Sequence, residues 1–532
     1  MMKHFRFYSS RLLQLNQFKQ NITAGIIIGI IALPLSMAFA IASGATPASG
    51  IYTAIIAAII VGIFGGTQVQ IAGPTGAFVA ILSTITAQHG FIGLQLATLM
   101  AGIIMILMGL FKLGKVVKFI PYPVIVGFTT GIGFIIFVGQ WKSFFGLPVH
   151  ISTQAHFHEK FVLLLQHIPS LHVATTILSC TSLCTYLITK RYFKKIPAPL
   201  TTLISATVLN LLFGNNSIET IGSAFGAIPQ QIPTWSIPMF STVDWTQLIG
   251  PACTIALLGA IESLLSASAV DAILNTKHNS NQELIGEGLA NIVTPFFGGF
   301  ASTGAIARTI TSIRNGGSNP IAAITHSIVL LFILLSCAPH ASYIPLCALA
   351  TILFIVAYGM SDLHQFIHIA HHAPWYDAAV LIITCLLTIV IDLVIAVAFG
   401  CIIATLFTLI RLYQTTTSRH PYVFATLWKT SVTNVTSTTC ENNTVEFIIE
   451  GPFFFGVAEK LEQAFSVTNT DPTCIIFNFK NVPFIDITGL TVFYKTVQDY
   501  HQRGVKVYIK LANERIIQKF KKMGIDTFVH YF

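Results

Sequence analysis

Charged residues are scarce in this 532-residue sequence. Asp, Glu, Lys and Arg make up 9% of it, against roughly 25% in a typical soluble protein. Hydrophobic residues make up 54%, and the mean hydropathy is +0.74. A large soluble core does not explain this composition, because its surface would still need charge. Apolar runs recur from about residue 22 to residue 412, and many reach the ~20 residues that cross a bilayer. The sequence therefore predicts a polytopic α-helical membrane protein.

Other features that the sequence lacks exclude further classes of protein. The nine cysteines form no CxxC pair and show no metal-ligand spacing, so we expect no metal site and no cofactor. The sequence also lacks a phosphate-binding glycine loop and a catalytic triad, so no enzymatic activity is predicted. The first 20 residues lack the short apolar core of a cleavable signal peptide. The net charge of +9 does not indicate a nucleic-acid partner, because the basic residues form no single patch.

The apolar part divides into about fourteen segments. The third and the tenth are short and bounded by glycine, proline or polar residues. Two halves of seven segments would have opposite orientations, which predicts a 7+7 inverted repeat with core and gate domains. We predict a cytoplasmic N-terminus (1–20), a transmembrane domain (21–412), a Thr/Ser/Asn-rich linker (413–444) and a small α/β domain (445–532). The segments start near residues 22, 49, 73, 91, 120, 172, 198, 247, 282, 304, 320, 345, 376 and 394.

The basic residues indicate which way the chain is oriented. Lysines and arginines precede the first segment and follow the fourth, sixth, eighth and fourteenth, which all end on one side if the count is right. The loop from Gly214 to Gln247 falls on the other side and contains neither Lys nor Arg. Because positive loops stay in the cytoplasm, we expect both termini and the α/β domain there, with the protein in a bacterial inner membrane.

The two short segments predict an anion site. A helix N-terminus offers unpaired N–H groups and a partial positive charge, so two N-termini meeting at mid-membrane can hold an anion. The proline suits the first turn of a helix. Tight helix packing by the glycines is the alternative explanation. The residues concerned are Gly73, Pro74, Thr75, Gly76 and Ala77 in the first segment, and Ala305, Ile306, Ala307 and Arg308 in the second.

Isolated polar residues in apolar segments add candidates. Arg308 would contribute positive potential to the site. A carboxyl taken out of water keeps its proton more readily, so Glu262 could gain and lose a proton and couple transport to protons; a static pairing with Arg308 is the alternative. Ser266, one turn on, and Asp392, in another apolar stretch, are possible accessory groups. Phe39 could line the site or simply pack.

Three acidic residues fall near segment ends. For Asp271, Glu283 and Glu287 a solvated or helix-capping role is the expectation.

The C-terminal 88 residues alternate between strand and helix patterns. Strands are predicted at 445–449, 473–479 and 505–509, and helices at 458–465 and 513–523. Asp486 and Thr488 can cap a further helix that opens near Gly489. This alternation is typical of an α/β domain, with a regulatory role or a role as a surface for dimerisation or a cytoplasmic regulatory protein.

Several strings resemble the SulP (SLC26) anion transporter family with its C-terminal STAS domain. They are the stretch from Pro34 to Tyr52, the turn at residues 72–75, the stretch from Gly259 through residues 281–284 to Thr309, and the Asp-Ile-Thr-Gly turn at Asp486. Within the family, the bacterial C4-dicarboxylate type is the most similar. In soluble relatives of the STAS domain the hydroxyl residue of this turn, here Thr488, can be phosphorylated; a structural cap is the expectation here.

The resemblance implies a homodimer, elevator-like alternating access, and an anion held by the third and tenth segments with the first and eighth nearby. Three positions depart from the family pattern. Leu35 and Ala307 stand where other members carry Gln and Ser, so backbone N–H groups must do more. Glu262 stands where sodium-coupled bicarbonate members carry Asp, which favours protons over sodium. We therefore expect a proton-coupled transporter of a C4-dicarboxylate or sulfate.

Alternatives remain open at this point. They are a sodium-coupled bicarbonate or sulfate transporter, an uncoupled anion channel or exchanger, a membrane-anchored sensor that signals through the tail, and a nucleobase permease of similar fold.

Overall fold

The structure is a computed structural model, and it describes most of the chain. The prediction for Asp392, the predicted helix at 458–465 and most of the predicted N-terminal tail and linker lie outside the described residues. The described ranges are 15–115, 121–149, 157–193, 196–213, 217–238, 244–274, 276–391, 393–417, 434–440, 444–451, 453, 472–482 and 484–531.

Helices dominate the first 417 residues. In chain order they are α1 (Leu15–Ala42), α2 (Pro47–Phe64), α3 (Gly76–Leu110), α4 (Tyr122–Gly139), α5 (Trp141–Phe145), α6 (Phe157–His167), α7 (Val173–Tyr192), α8 (Ala198–Phe213), α9 (Ile221–Phe225), α10 (Ile249–Leu274), α11 (Ser280–Val293), α12 (Ile306–Arg314), α13 (Ile321–Ala341), α14 (Leu346–Met360), α15 (Leu363–His372), α16 (Trp375–Val390) and α17 (Leu393–Thr417). Two short strands interrupt them, β1 (Ala72–Gly73) and β2 (Thr303–Gly304).

Seven of the described helices are long and apolar enough to cross a membrane, or eight if the bent pair α6 and α7 counts as one span. Further helices of 10–17 apolar residues, including α8 and α16, are shorter. The chain is therefore a helical membrane protein, as predicted, while the number of fourteen segments and their inverted repeat remain predictions.

Local sequence explains several helix boundaries. Thr46 caps α2, accepting a hydrogen bond from the Ser49 N–H at 3.3 Å, and Pro47 occupies the first turn, where no N–H is needed. Helix α3 is broken at Gly90, whose φ of 71° is a conformation that glycine adopts at little cost. The break divides α3 into a short first part and a longer second part, in line with the two segments predicted near residues 73 and 91.

Contacts divide the chain into two compact units. The first comprises Met1–Lys118 and Ile132–Ser361, and it contains β1, β2 and the helices around them. There α11 packs against α3, α2 and α10, while α13 packs against α1 and α2. Helices α3 and α11 approach closely, because a Cβ on Gly288 would lie 2.7 Å from the Gly102 carbonyl oxygen. Small residues at such crossings are typical of membrane helix packing.

The second unit comprises Phe119–Gly131 and Asp362–Phe532. It contains a five-stranded sheet in the order β3 (Asn434–Cys440), β4 (Thr444–Glu450), β5 (Cys474–Asn481), β6 (Lys506–Lys510) and β7 (Val529–Tyr531). β3 and β4 are antiparallel, and the other neighbours are parallel. Helices α18 (Ile487–Gln502) and α19 (Glu514–Lys522) complete the domain. Its core is aromatic, with buried Phe447, Phe477, Phe479, Phe493 and Phe520.

The α/β domain agrees with the prediction, with two differences. The strands predicted at 445–449, 473–479 and 505–509 are present as β4, β5 and β6. β7 was not predicted. β3 lies where the composition indicated a linker, because its Thr and Ser residues are typical of loops. Threonine is β-branched and also suits a strand that pairs with β4.

Candidate functional site

The two short segments meet in a two-stranded junction, which we define as β1 and β2. Ala72 pairs with Gly304 and Gly73 with Thr303, in antiparallel register. β1 leads into α3 and β2 leads into α12, so the two helices begin beside the same strand pair. Because the strands are antiparallel, the chain leaves the junction in opposite directions. This juxtaposition is the geometry that an anion site between two helix N-termini requires.

Glycine allows the close approach at the junction. A Cβ on Gly304 would lie 1.8 Å from Gln70 Nε2, and one on Gly73 would lie 2.3 Å from Arg308 Nη1. Both distances are far below a normal contact, so a side chain at either position would displace its neighbour. Side chains also bind the junction: the Ile71 N–H donates to Thr309 Oγ1 at 3.1 Å, and Gln70 Nε2 donates to the Ser263 carbonyl at 3.2 Å.

The first N-terminus begins later than the sequence suggested. Pro74 was expected in the first turn, but α3 starts at Gly76 with Thr75 as its cap. Proline forces the preceding residue away from helical geometry, and Gly73 accordingly lies in β1. Thr75 makes no side-chain capping bond, because its hydroxyl instead donates to Glu262 Oε2 at 3.0 Å. The N–H groups of this first turn are thus not used by the cap side chain.

The second N-terminus carries the positive charge. Ala305 caps α12 and has no polar side chain, so it too leaves the first-turn N–H groups without a side-chain partner. Arg308, only 4% exposed, lies in the first turn. Its Nη2 donates to Ser36 Oγ at 3.2 Å and to the Pro74 carbonyl at 3.1 Å. Its Nη1 has no hydrogen-bond partner among the described residues. A buried, unpartnered cationic donor at the junction is the group that a bound anion would satisfy.

Glu262 reaches the junction from α10. It is partly exposed, whereas its neighbours Ile261 and Ser263 are buried. Its carboxylate binds Thr75 and, in the described part of the chain, makes no direct ion pair with Arg308, although the two interact electrostatically. The static Glu262–Arg308 pair considered from sequence is therefore absent from this structure.

The remaining candidate residues of the site differ in how deeply they are buried. Phe39 is buried beside the start of α3, because a Cβ on Gly76 would lie 3.3 Å from its Cε1. Ala77 and Ala305 are buried, Ile306 is partly buried, and Ala307 is exposed. Ser266 is buried on α10, and its hydroxyl has no partner among the described residues. The structure therefore brings Phe39 and most of the backbone candidates close to the junction elements, while Ala307 is exposed.

Sequence reasoning missed several residues that build the site. Ser263 Oγ lies 2.8 Å from Thr303 Oγ1 and accepts from the Gly304 N–H at 3.1 Å. Gln70 and Thr309 complete the set that bonds across the junction. Ser263 directly follows Glu262 in the sequence, so its position beside an isolated acid was the signal that could have identified it.

The expectation for two of the acidic residues was wrong. Glu283 and Glu287 were expected to be solvated or capping, but both are fully buried, with 0% exposure. Glu283 lies in the first turn of α11 and accepts the Gly66 N–H at 2.7 Å, so it binds a turn in another part of the chain. Position near a segment end did not predict exposure, because α11 packs along its whole length against α2, α3 and α10. Asp271 accords with the expectation: it is partly exposed at the end of α10 and accepts from the Thr276 hydroxyl at 3.0 Å.

The predicted turn of the α/β domain lies at the start of α18. Asp486 caps this helix and accepts the Gly489 N–H at 2.7 Å. Thr488 does not cap it; its Oγ1 accepts the Tyr122 N–H at 3.3 Å. The Ile487 N–H donates to Asp377 Oδ2 at 3.2 Å. Within the second unit, the turn is thus bonded to α4 and α16 of the helical part.

Comparisons with known proteins agree with this architecture. The model of the sulfate permease family matches residues 18–384, and that of the STAS domain matches residues 436–532. The protein described as "Putative sulfate transporter YvdB" from Bacillus subtilis is 38% identical over 96% of this chain and 94% of its own length. The "Bicarbonate transporter BicA" of Picosynechococcus is 28% identical over 95% of this chain and 90% of its own.

Solved structures show the same fold. The transmembrane domain of a cyanobacterial bicarbonate transporter, BicA, matches 74% of this chain and 98% of its own with a TM-score of 0.65 and 28% identity. SLC26A9 matches 96% of this chain and 88% of its own with a TM-score of 0.67 and 18% identity.

The fold and the site define a helical membrane transport protein with a C-terminal STAS domain, not an enzyme. The chain belongs to the sulfate permease (SulP, SLC26) family.

Proposed function

We propose that this protein is a proton-coupled secondary transporter of a small anion that binds at the junction. The observation that supports this most strongly is the combination of two helix N-termini without side-chain capping bonds and the Arg308 Nη1, a buried cationic donor without a partner in the described chain. Together they offer positive potential and hydrogen-bond donors without an opposing salt bridge.

Sulfate is the favoured substrate, and a C4-dicarboxylate is the second candidate. The 38% identical relative is described as a putative sulfate transporter, which supports sulfate. The resemblance to the bacterial C4-dicarboxylate type supports succinate or aspartate. Both kinds of anion present oxygens that can accept from backbone N–H groups and from a guanidinium.

Glu262 is the proposed proton-coupling group. Its carboxylate is bonded to Thr75, the cap of α3, so its protonation state acts directly on the helix that would hold the anion. Uptake of a proton at Glu262 offsets the charge of the incoming anion. It also removes a negative charge that competes for the same positive potential.

The transport cycle is proposed to follow an elevator-like alternation in a homodimer. The junction would move as one body, since β1 and β2 are joined by backbone pairing and by Ser263, Gln70 and Thr309. From the loop charges we propose that both termini and the STAS domain lie in the cytoplasm and that the protein resides in a bacterial inner membrane. The STAS domain would bind a cytoplasmic regulatory protein.

Uptake into proteoliposomes tests this proposal. Radiolabelled sulfate, succinate, aspartate and bicarbonate are compared with and without pH and sodium gradients. We expect accumulation driven by an inward pH gradient in wild type. Glu262→Gln should lose that accumulation while still binding the anion, and unchanged accumulation in this variant would rule out the coupling role.

A sodium-coupled transporter of bicarbonate or sulfate is the second candidate function. The 28% identity to a protein described as a bicarbonate transporter, over nearly the whole chain, supports bicarbonate as its substrate. The sodium arm of the same experiment distinguishes the two, and accumulation that ignores both gradients would indicate an uncoupled channel or exchanger.

A further inference from the structure

Two buried carboxyl groups on α11 have no role in the site as described so far. Glu283 and Glu287 are both 0% exposed, and they are one helical turn apart, a rise of ~6 Å. Glu283 Oε2 accepts the Gly66 N–H at 2.7 Å, and Glu287 Oε1 accepts from Ser302 Oγ at 3.3 Å. The second oxygen of each carboxyl, Glu283 Oε1 and Glu287 Oε2, makes no direct hydrogen bond among the described residues, although Thr67 lies beside the Glu283 carboxyl and Ser263 beside that of Glu287.

Charge around this pair does not offset two carboxylates. Helices α2 and α3, which pack against α11, contain no Asp, Glu, Lys or Arg within their bounds, and the one histidine, His89 of α3, precedes the Gly90 break. The turn Leu113–Lys115, which also packs against α11, carries one basic residue, Lys115. Helix α10 contributes Glu262, which interacts with Glu287 electrostatically, and Arg308 of α12 acts on the set through Glu262. Two ionised, unpaired carboxylates one turn apart in an apolar bundle would be unstable. At least one of them must therefore carry a proton.

The pair lies between the junction and one end of the bundle. On the junction side, Ser302 contacts Glu287, and Ser263, the neighbour of Glu262, lies beside the same carboxyl. On the other side, Glu283 interacts with His278 in the loop between α10 and α11. His278 Nδ1 lies 2.6 Å from Asp271 Oδ2, and the Asp271 side chain is 21% exposed.

We propose that Glu287 and Glu283 form a proton relay that connects Glu262 at the junction with the surface at the α10–α11 loop. A proton from solvent is taken up at the loop by His278 and Asp271 and passes to Glu283, then to Glu287, and through the serine hydroxyls to Glu262. A transfer within the set moves one proton from a carboxyl to the next carboxylate and leaves the number of buried charges unchanged. Each proton that enters from the loop neutralises one buried carboxylate. By the loop-charge assignment this surface is cytoplasmic, because the same loop carries Lys277.

This relay rests on the proposed proton coupling at Glu262 and deepens it. A purely structural role for Glu283 and Glu287 makes a different prediction, since glutamine can accept the same hydrogen bonds from Gly66 and Ser302 but cannot pass a proton along. The comparison between the acid and its amide therefore separates the two roles.

The test uses the full chain in proteoliposomes, with radiolabelled sulfate and, in a parallel series, succinate. Wild type is compared with Glu262→Gln, Glu283→Gln, Glu287→Gln and the control Glu219→Gln, which alters an exposed residue of the loop before α9. Two assays are run: accumulation driven by a pH gradient, and counterflow at equal pH, which requires no net proton movement.

We expect Glu283→Gln and Glu287→Gln to keep counterflow within about twofold of wild type. Their initial rate of proton-driven uptake should fall about tenfold or more, because a positioned proton carrier speeds transfer by at least that factor. Glu287→Asp keeps a titratable group and should recover part of the rate, whereas Glu219→Gln should match wild type.

The outcomes distinguish the two proposals. If wild type responds to the pH gradient and Glu262→Gln does not, while Glu283→Gln and Glu287→Gln accumulate at the wild-type rate, the relay is overturned and the coupling at Glu262 stands. Loss of counterflow and of thermal stability together in the glutamine variants, unrelieved by Glu287→Asp, would also reject the relay in favour of a structural role. A wild type that ignores the pH gradient overturns both proposals.

Discussion

The two segments that meet at the junction differ in what they contribute. The segment of β1 and α3 supplies backbone and one hydroxyl: it has no charged residue between Gln70 and Leu110. The part of the chain that contains α10, β2 and α12 supplies both charges, Glu262 and Arg308, and both reach across to the first segment. Glu262 accepts from Thr75, and Arg308 donates to the Pro74 carbonyl.

Under the proposed function, this asymmetry would let two similar N-termini form one anion site. The first segment would contribute backbone N–H groups and no charge. The second would set the electrostatic potential of the site with one cation and one titratable acid. The two charges make no direct ion pair among the described residues, although they interact electrostatically, and in the proposed mechanism each responds to an anion or a proton. The following substitutions test this difference between the two segments, and they are ordered by the size of the expected effect on transport.

Gly304→Ala should have the largest effect. Its Cβ would lie 1.8 Å from Gln70 Nε2 and 2.6 Å from Gln70 Cδ, so the buried Gln70 side chain would have to move and lose its hydrogen bond to the Ser263 carbonyl. Overpacking of this kind costs about 1–3 kcal/mol, and we expect uptake of all anions to be lost. Thermal unfolding in detergent and proteoliposome uptake are the measurements.

Gly359→Ala is the matched control for that change. Gly359 is helical, and a Cβ there meets nothing within 4 Å. It should unfold and transport as wild type does. Equal behaviour of the two alanine variants would show that the β1–β2 junction is not closely packed.

Arg308→Gln should come next in magnitude. It removes the charge of the second segment and the donor without a partner, while keeping a polar side chain. A hydrogen bond to a charged group contributes about 1.5–3 kcal/mol, so the apparent KM for the anion should rise roughly 10- to 100-fold. Arg308→Lys keeps the charge but not the planar fork and should fall between. Concentration dependence of uptake provides the measurement, and unchanged KM in both variants would place the anion elsewhere.

Thr75→Val should have a smaller effect that appears mainly in pH dependence. The substitution removes the 3.0 Å hydrogen bond that stabilises the charged form of Glu262. The pH profile of transport should therefore move to higher pH, by about one unit or less for a bond of this kind. Thr75→Ser keeps the hydroxyl and should keep the profile. A shift of the same size in both variants would argue against the hydrogen bond as its cause.

The smallest effects on transport are expected in the STAS domain. Asp486→Ala removes the cap of α18 and should destabilise this domain by ~1 kcal/mol. Thr488→Val removes only the acceptor for the Tyr122 N–H and should act on the contact with α4, not on the fold of the domain. Thermal unfolding separates the two, and a larger destabilisation by Thr488→Val would reverse the roles assigned here.

The amino-acid sequence alone was enough to predict the class of protein, the presence of short segments at Gly73 and Gly304, and the α/β character of the tail. These properties follow from composition, segment length and local alternation, and such signals lie within a few residues of each other. Glu262 and Arg308 could be selected because a charge in an apolar segment is costly wherever that segment packs.

Which side chains of the site contact each other depends on the tertiary structure. The contact between Thr75 and Glu262 spans 187 residues of sequence, and that between Pro74 and Arg308 spans 234. Local sequence patterns do not predict contacts over such separations. The burial of Glu283 and Glu287 likewise depends on α2 and α3, which are distant in sequence and pack against α11. The same is true of Thr488, whose hydroxyl contacts the helical part of the chain and does not cap its own helix.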